Sequence, residues 1–143
     1  MNFAVVGVNH NDTPIHIREN VSFTDTQKIE GINFLLDNGI SEVVVLSTCN
    51  RSEIYIYSDD ILKKIEIVKD FYEDFFNVDN IKEYLFCKTG QDAIEHVFRV
   101  SAGLDSIVLG EDQILGQVKD AHEFSKQLGA SKKVFNKLFR EAI

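Results

Sequence analysis

The 143-residue sequence has little cysteine: two residues, Cys49 and Cys87, far apart and in unlike contexts. So low a count excludes the dense disulfide framework of a small secreted domain, and both thiols are expected to be reduced. Neither lies in a CxxC or a Cys/His cluster, so the four ligands of a structural zinc site are not gathered. Long apolar runs are also lacking. Val43 to Leu46 is far too short to cross a bilayer, and the start MNFAVVGVNH has no basic region followed by an extended apolar stretch. A cytoplasmic location with no membrane contact is expected. There is no basic excess: 15 Lys and Arg stand against 23 Asp and Glu, a formal net charge of −8. That argues against a broad nucleic-acid-binding surface, because phosphate neutralisation dominates such binding. Only the local cluster Lys126, Lys132, Lys133, Lys137 and Arg140 offers phosphate contacts, and such a cluster is more often the solvated face of a helix. No GxGxxG follows a strand, which excludes a Rossmann dinucleotide site within these residues. No internal repeat and no low-complexity linker divides the chain.

What is present suits one compact domain, with 44% hydrophobic and 27% charged residues over a length that can bury a real core. Asn2 to Val8 reads as a strand closed by the turn-prone run Asn9 to Pro14, with a short helix around Ile15 to Asn20. Thr24 and Gln27 have capping-box spacing, and Ile29, Ile32, Leu35 and Leu36 recur at helical period until Gly39. Glu42 to Ser47 is a continuous β-branched run of the kind buried on both faces, and Ile54 to Tyr57 is β-rich, so the two read as a hairpin with STCNRSE at its mouth. Ile61, Leu62, Ile65, Val68, Phe71, Tyr72 and Phe75 mark an amphipathic helix, and Tyr84 to Lys88 a further strand. Thr89 and Asp92 resemble a cap for a helix through Ala93, Val97 and Val100 to Gly103. Helical patterning resumes at Ile114 and passes Gly129 to the last residue, and a helix without a stop signal is expected to belong to a longer chain. The order implies an α+β fold, a ferredoxin-like βαββαβ sandwich with helices over one sheet face and added C-terminal helices over about 112–143.

Cys49 falls at the end of a buried strand, where a side chain can be offered to a cleft. If the backbone stays extended to Arg51, both side chains share a face and the guanidinium favours thiolate. The competing reading is a small buried hydrophobe, the commoner fate of cysteine and the one expected of Cys87. His96 is placed at the border of its helix's apolar stripe, a position usually structural. It gains a chemical role only if the fold brings it to Cys49. His10 is ambiguous, and His16 and His122 are expected at the surface. The segment from Gly103 to Gln117 is rich in glycine and small polar groups, as suits a loop that approaches a ligand.

GVNHNDTPIHIRE, VVLSTCNRSEIY and GLDSIVLGEDQILGQVK, three long motifs in order, together with the closing LFREAI, resemble the glutamyl-tRNA reductase family. The sequence departs from that pattern at Asn11 and Asp12, where a basic and a small residue are expected. The resemblance implies that Cys49 attacks the ester of glutamyl-tRNA to form a thioester. NADPH then reduces the thioester to glutamate-1-semialdehyde for tetrapyrrole biosynthesis, an oxidoreductase activity. It implies a substrate pocket of Thr48, Cys49, Asn50, Arg51, Ser106, Glu111, Asp112, Gln113 and Gln117, with His96 as the family's activity-linked histidine, a second catalytic residue in the role of base. Arg51 would hold the glutamate side-chain carboxylate as a bidentate partner and Glu111 its ammonium group. It further implies a nicotinamide-binding domain and a C-terminal homodimerisation domain beyond residue 143, and a partner in glutamate-1-semialdehyde aminotransferase. Residues 1–143 alone are then expected to form the thioester but not to reduce it. A glutamate-binding module without catalysis and a Cys49–Cys87 redox sensor are the alternatives.

Overall fold

The computed structural model describes residues 2–9, 11–104 and 112–143, with Asp112 described by its backbone alone. Strand β1 (Phe3–Asn9) is followed by the short α1 (Ile15–Glu19), α2 (Asp25–Asp37), the strands β2 (Glu42–Ser47) and β3 (Arg51–Tyr57), α3 (Ile61–Phe76), β4 (Phe86–Thr89), α4 (Gly90–Ser101), α5 (Asp112–Gln127) and α6 (Lys133–Ala142). The strands form one antiparallel sheet in the order β2-β3-β1-β4. Spatial neighbours therefore alternate in direction, while the strands joined by the two helical crossovers, β1 to β2 and β3 to β4, run the same way.

Local chemistry explains the boundaries. The Thr24 hydroxyl accepts from the Gln27 amide while the Gln27 side chain accepts from Thr24 N–H, the reciprocal box that starts α2. Gly39 ends it at φ 88°, a left-handed conformation that a Cβ disfavours. Thr89 occupies the N-cap position of α4 but its side chain makes no capping bond. The fourth strand is shorter and later than Tyr84 to Lys88, because Ile81–Tyr84 closes a 3₁₀ turn first. The C-terminal helical pattern is two helices, since Gly129 takes φ 74° and the chain turns there.

The sheet is covered on both faces, which corrects the expectation of one. Ala4, Val6, Val8, Val43, Val45, Ile54 and Ile56 pack on α2 and α3 through Ile32, Leu35, Ile65, Val68 and Tyr72. The alternate residues Phe3, Val5, Val44, Leu46 and Tyr55 pack on α4, α5 and α6 through Ala93, Val97, Val118, Phe135 and Phe139. Burying a phenylalanine as fully as Phe135 or Phe139 stabilises by roughly 1.5–3 kcal/mol. The α5–α6 pair sits on this second face because its connection is bonded to the edge strand: Val43 N–H donates to Ala130 O at 2.9 Å. In addition, Glu42 Oε1 accepts from the amides of Lys132 at 2.6 Å and Phe135 at 3.0 Å. A strand carboxylate thereby caps α6, satisfying N–H groups that the helix's own sequence leaves without a side-chain cap.

Candidate active site

The β2–β3 register runs from Glu42 opposite Tyr57 to Ser47 opposite Ser52, so the chain must reverse through Thr48 to Arg51. Thr48 N–H donates to Arg51 O at 2.9 Å and Asn50 N–H to Thr48 Oγ1 at 3.2 Å, a side-chain-stabilised turn. Cys49 stands at its apex, exposed and free. Because Cys49 and Asn50 are bends and the strand resumes only at Arg51, the extended geometry expected to align Cys49 with Arg51 is absent. The two meet instead across a notch of about 70 Å³ lined by Thr48, Cys49, Asn50 and Arg51 of the turn and by Gln113, Ile114 and Gln117 at the start of α5. That volume holds about two waters. Six of the expected pocket residues are therefore gathered by one turn and one helix end. Ser106 and Glu111 lie outside the described residues, as do the side chain of Asp112 and all of His10.

Behind the notch lies a charged cluster that sequence reading missed. Arg51, Glu53 and Tyr55 alternate along β3 and all face the α4–α6 layer. Arg51 is 2% exposed and Glu53 is 0% exposed. Arg51 Nη1 donates to Glu53 Oε2 at 3.1 Å, Tyr55 Oη donates to Glu53 Oε1 at 2.6 Å, and His96 Nε2 lies 2.9 Å from Glu53 Oε2. Burial alone would raise the Glu53 carboxyl. The bond and charge of His96, then Arg51 and Tyr55, outweigh it and hold Glu53 below the ordinary carboxylate value. His96, expected at a helix border, is 2% exposed. Its ring packs against Phe86 and Tyr55 at centroid distances of 5.2 and 6.4 Å, and its outer edge borders a polar cleft with Lys88, Asp92, Glu95 and Arg99.

Gly7 makes the cluster possible. It pairs with Glu53 in the β1–β3 register, and a Cβ there would lie 2.2 Å from Ser52 O and 2.8 Å from Glu53 Cα. A glycine inside an otherwise apolar strand signals such a close approach. The signal for Glu53 was fainter: a carboxylate two residues from an arginine in a strand ordinarily faces water.

Cys87 is exposed rather than buried, on the short outer strand β4, which unlike the other edge strand β2 is left largely uncovered; its partial burial nevertheless raises the thiol. Both cysteines are free, Cys49 on the turn between β2 and β3 and Cys87 on β4. His122, expected at the surface, is half-buried, bonded at 3.0 Å to both Ser131 Oγ and Asn136 Oδ1 and stacked on Phe139. Among the described residues no group of His, Cys, Asp and Glu could hold a metal ion, and no helix is long and apolar enough to cross a membrane. A larger concavity of about 530 Å³ lies between α2 and α3, walled by Phe34, Ile67, Phe71 and Phe75 with Asp70 and Asp74 at its rim. It contains no cysteine, serine, histidine or basic side chain, so size does not locate thiol chemistry here.

Comparison with known proteins identifies the family. Residues 6–143 match the family model for the glutamyl-tRNA(Glu) reductase N-terminal domain. Among curated relatives, a glutamyl-tRNA reductase of Clostridium novyi is 57% identical over 143 residues, all of this chain and 35% of that protein. One of Carboxydothermus hydrogenoformans is 44% identical over 146 residues, covering all of this chain and 32% of that protein. Among solved structures, the glutamyl-tRNA reductase of Methanopyrus kandleri superposes with a TM-score of 0.81 at 29% identity, covering 99% of this chain and 32% of that one. The chain thus spans about a third of the length of the relatives it matches.

Proposed function

Since the chain belongs to the family of glutamyl-tRNA reductase N-terminal domains, we propose that it carries out the acyl-transfer half of that reaction with Cys49 as the nucleophile. The thiolate sulfur forms a bond to the glutamyl carbonyl carbon. The ester bond to the terminal ribose oxygen of tRNA breaks, and that oxygen takes up the proton lost by the thiol and leaves as a hydroxyl. An aminoacyl ester is already activated, so a thiolate suffices. The observation that carries this reading is the exposed Cys49 sulfur at the apex of a pinned turn, sharing a notch with Arg51, Gln113 and Gln117.

Arg51 receives the substrate's side-chain carboxylate, and Glu53 fixes the guanidinium from the protein side. Thr48, Asn50, Gln113 and Gln117, together with Ser106, Glu111 and Asp112, complete the pocket for the amino acid. His96 acts as a positioning residue: through Glu53 Oε2 it is tied to the same carboxylate that holds Arg51, so the imidazole and the guanidinium are set by one group. The element order and the β2-β3-β1-β4 sheet support a ferredoxin-like reading of the fold.

The NADPH that the family implies does not fit the described residues. A dinucleotide cradle needs a glycine-rich turn from a parallel strand into a helix, and this sheet is wholly antiparallel. No reduction step is therefore assigned to residues 1–143. In the whole protein, reduction of the thioester to glutamate-1-semialdehyde for tetrapyrrole biosynthesis belongs to further sequence, as does homodimerisation. The unstable aldehyde product suits direct delivery to glutamate-1-semialdehyde aminotransferase, and the setting is cytoplasmic.

The test is mass spectrometry of the folded protein after mixing with glutamyl-tRNA. A glutamyl group on the Cys49 peptide, lost on hydroxylamine treatment and absent from Cys49→Ser, is the expected result. An unmodified Cys49 peptide from competent protein and charged tRNA would leave only a glutamate-binding module.

A further inference from the structure

The chain is acidic as a whole but not throughout. Residues 126–143 carry Lys126, Lys132, Lys133, Lys137 and Arg140 against Glu141 alone, a side-chain net of +4, which leaves −12 on residues 1–125 of a chain whose total is −8. The fold concentrates these cations further. At 100° per residue, Lys133, Lys137 and Arg140 fall within about 60° of one another on α6, opposite the stripe of Phe135 and Phe139 that packs into the core. All five cations are exposed. Across the groove from α6, Lys126 of α5 and Arg140 border a single cavity of about 460 Å³ with His122, Asn136, Ile143 and one carboxylate, Glu123.

Of the seven lysines elsewhere, four are spent on intramolecular pairs: Lys28 with Asp25, Lys64 with Asp59, Lys69 with Glu66, and Lys82 with Asp70 and Glu73; Lys63, Lys88 and Lys119 are in no ion pair among the described residues but are scattered singly over other elements. Among the described residues none of the five C-terminal cations is in an ion pair. The helix that carries three of them is held from beneath by the Glu42 carboxylate and by two buried phenylalanines, so the charges are presented on a fixed surface.

We propose that the outer face of α6, with Lys126 across the groove, is a phosphodiester-binding surface that holds the RNA body of the substrate. Its identification with tRNA rests on the acyl-transfer reading above, whereas the surface itself rests on the charge partition and on the shared cavity. Lys126 stands roughly 20 Å along α5 from Gln113 at the Cys49 notch, at 1.5 Å per residue. A free aminoacyl ester bound at Cys49 does not span that distance, and a polynucleotide does. The −12 remainder repels phosphates, so the patch also orients the approach.

The experiment measures binding of uncharged tRNA to the natural full-length protein by fluorescence anisotropy over a series of salt concentrations. The triple variant Lys133→Gln/Lys137→Gln/Arg140→Gln is compared with the charge-retaining Lys133→Arg/Lys137→Arg/Arg140→Lys. Expected are at least a tenfold weaker Kd near 0.1 M salt for the first, and a loss of about three from the slope of log Kd against log salt. The second should be near wild type. Equal tRNA affinity and slope in a triple variant with unchanged melting overturns the proposal. So does a change confined to self-association in sedimentation, which would make α6 a protein interface. If the triple variant does not fold, the exposed single reversal Lys137→Glu gives the same discrimination. Because the probe carries no glutamate, absence of a Cys49 adduct overturns the transfer reading without touching this one.

Discussion

The Glu53 carboxylate lies 2.9 Å from His96 Nε2 and 3.1 Å from Arg51 Nη1; Glu53 is fully buried, and Arg51 and His96 reach open space only where they border the notch and the polar cleft. Removing one member of such a set takes a compensating partner away from the other buried groups. Glu53→Ala is expected to cost about 3–5 kcal/mol in urea unfolding. Arg51→Ala in the Glu53→Ala background should add less than it does alone, which a double-mutant cycle reads directly.

The same carboxylate sets an acid limit. Its folded pKa lies below the ordinary 4.5, so its contribution to stability is fully present above the unfolded value and is lost as pH falls through the depressed folded value. Below pH 4.5 the unfolding free energy of the wild type should fall as the pH is lowered. In Glu53→Gln the fall should be shallower, because this carboxylate no longer titrates. Equal slopes in the two proteins would show that other carboxylates govern the acid transition.

Gly7→Ala tests the close approach of β1 to β3. Its Cβ would meet backbone atoms of Ser52 and Glu53 at 2.2 and 2.8 Å, and backbone yields less readily than a flexible side chain. A loss at or above the usual overpacking range of about 1–3 kcal/mol is expected, with thermal melting as the measure. Gly116→Ala, where a Cβ meets nothing within 4 Å, should not lower the melting temperature.

Glu42→Ala removes the strand carboxylate that caps α6 and should cost about 1–2 kcal/mol. Amide hydrogen exchange should rise in 132–136 more than in α4. Glu42→Gln, which keeps an acceptor, should recover part of the protection.

Cys49 makes no structural demand, being exposed at a turn apex. Cys49→Ala should therefore leave stability within about 0.5 kcal/mol of wild type while abolishing adduct formation. A large stability loss would instead make the sulfur a packing group.

Local signals carried much of the fold. The Thr24–Gln27 box, the apolar run of β2 and the glycine stops at 39 and 103 each act within a few residues and were legible for that reason. The second helical layer was not, because it depends on Val43 and Glu42 reaching residues 130–135, some ninety positions away. The site divides in the same way. Thr48, Cys49, Asn50 and Arg51 adjoin in sequence, and the family pattern added Gln113 and Gln117. Glu53 was passed over because charged alternate residues on a strand normally mark the wet face. Here α4 brings His96 over them from 43 residues away.

The connection between α5 and β2 has a mechanical corollary. The Val43–Ala130 bond pins one end of a rigid rod whose other end bears Gln113 and Gln117 over the sulfur. Between those ends Ile114, Val118 and Ala121 are buried in the core, so the rod is seated along its length, and the width of the notch is set by how the whole helix rests on β2 rather than by the two glutamines alone.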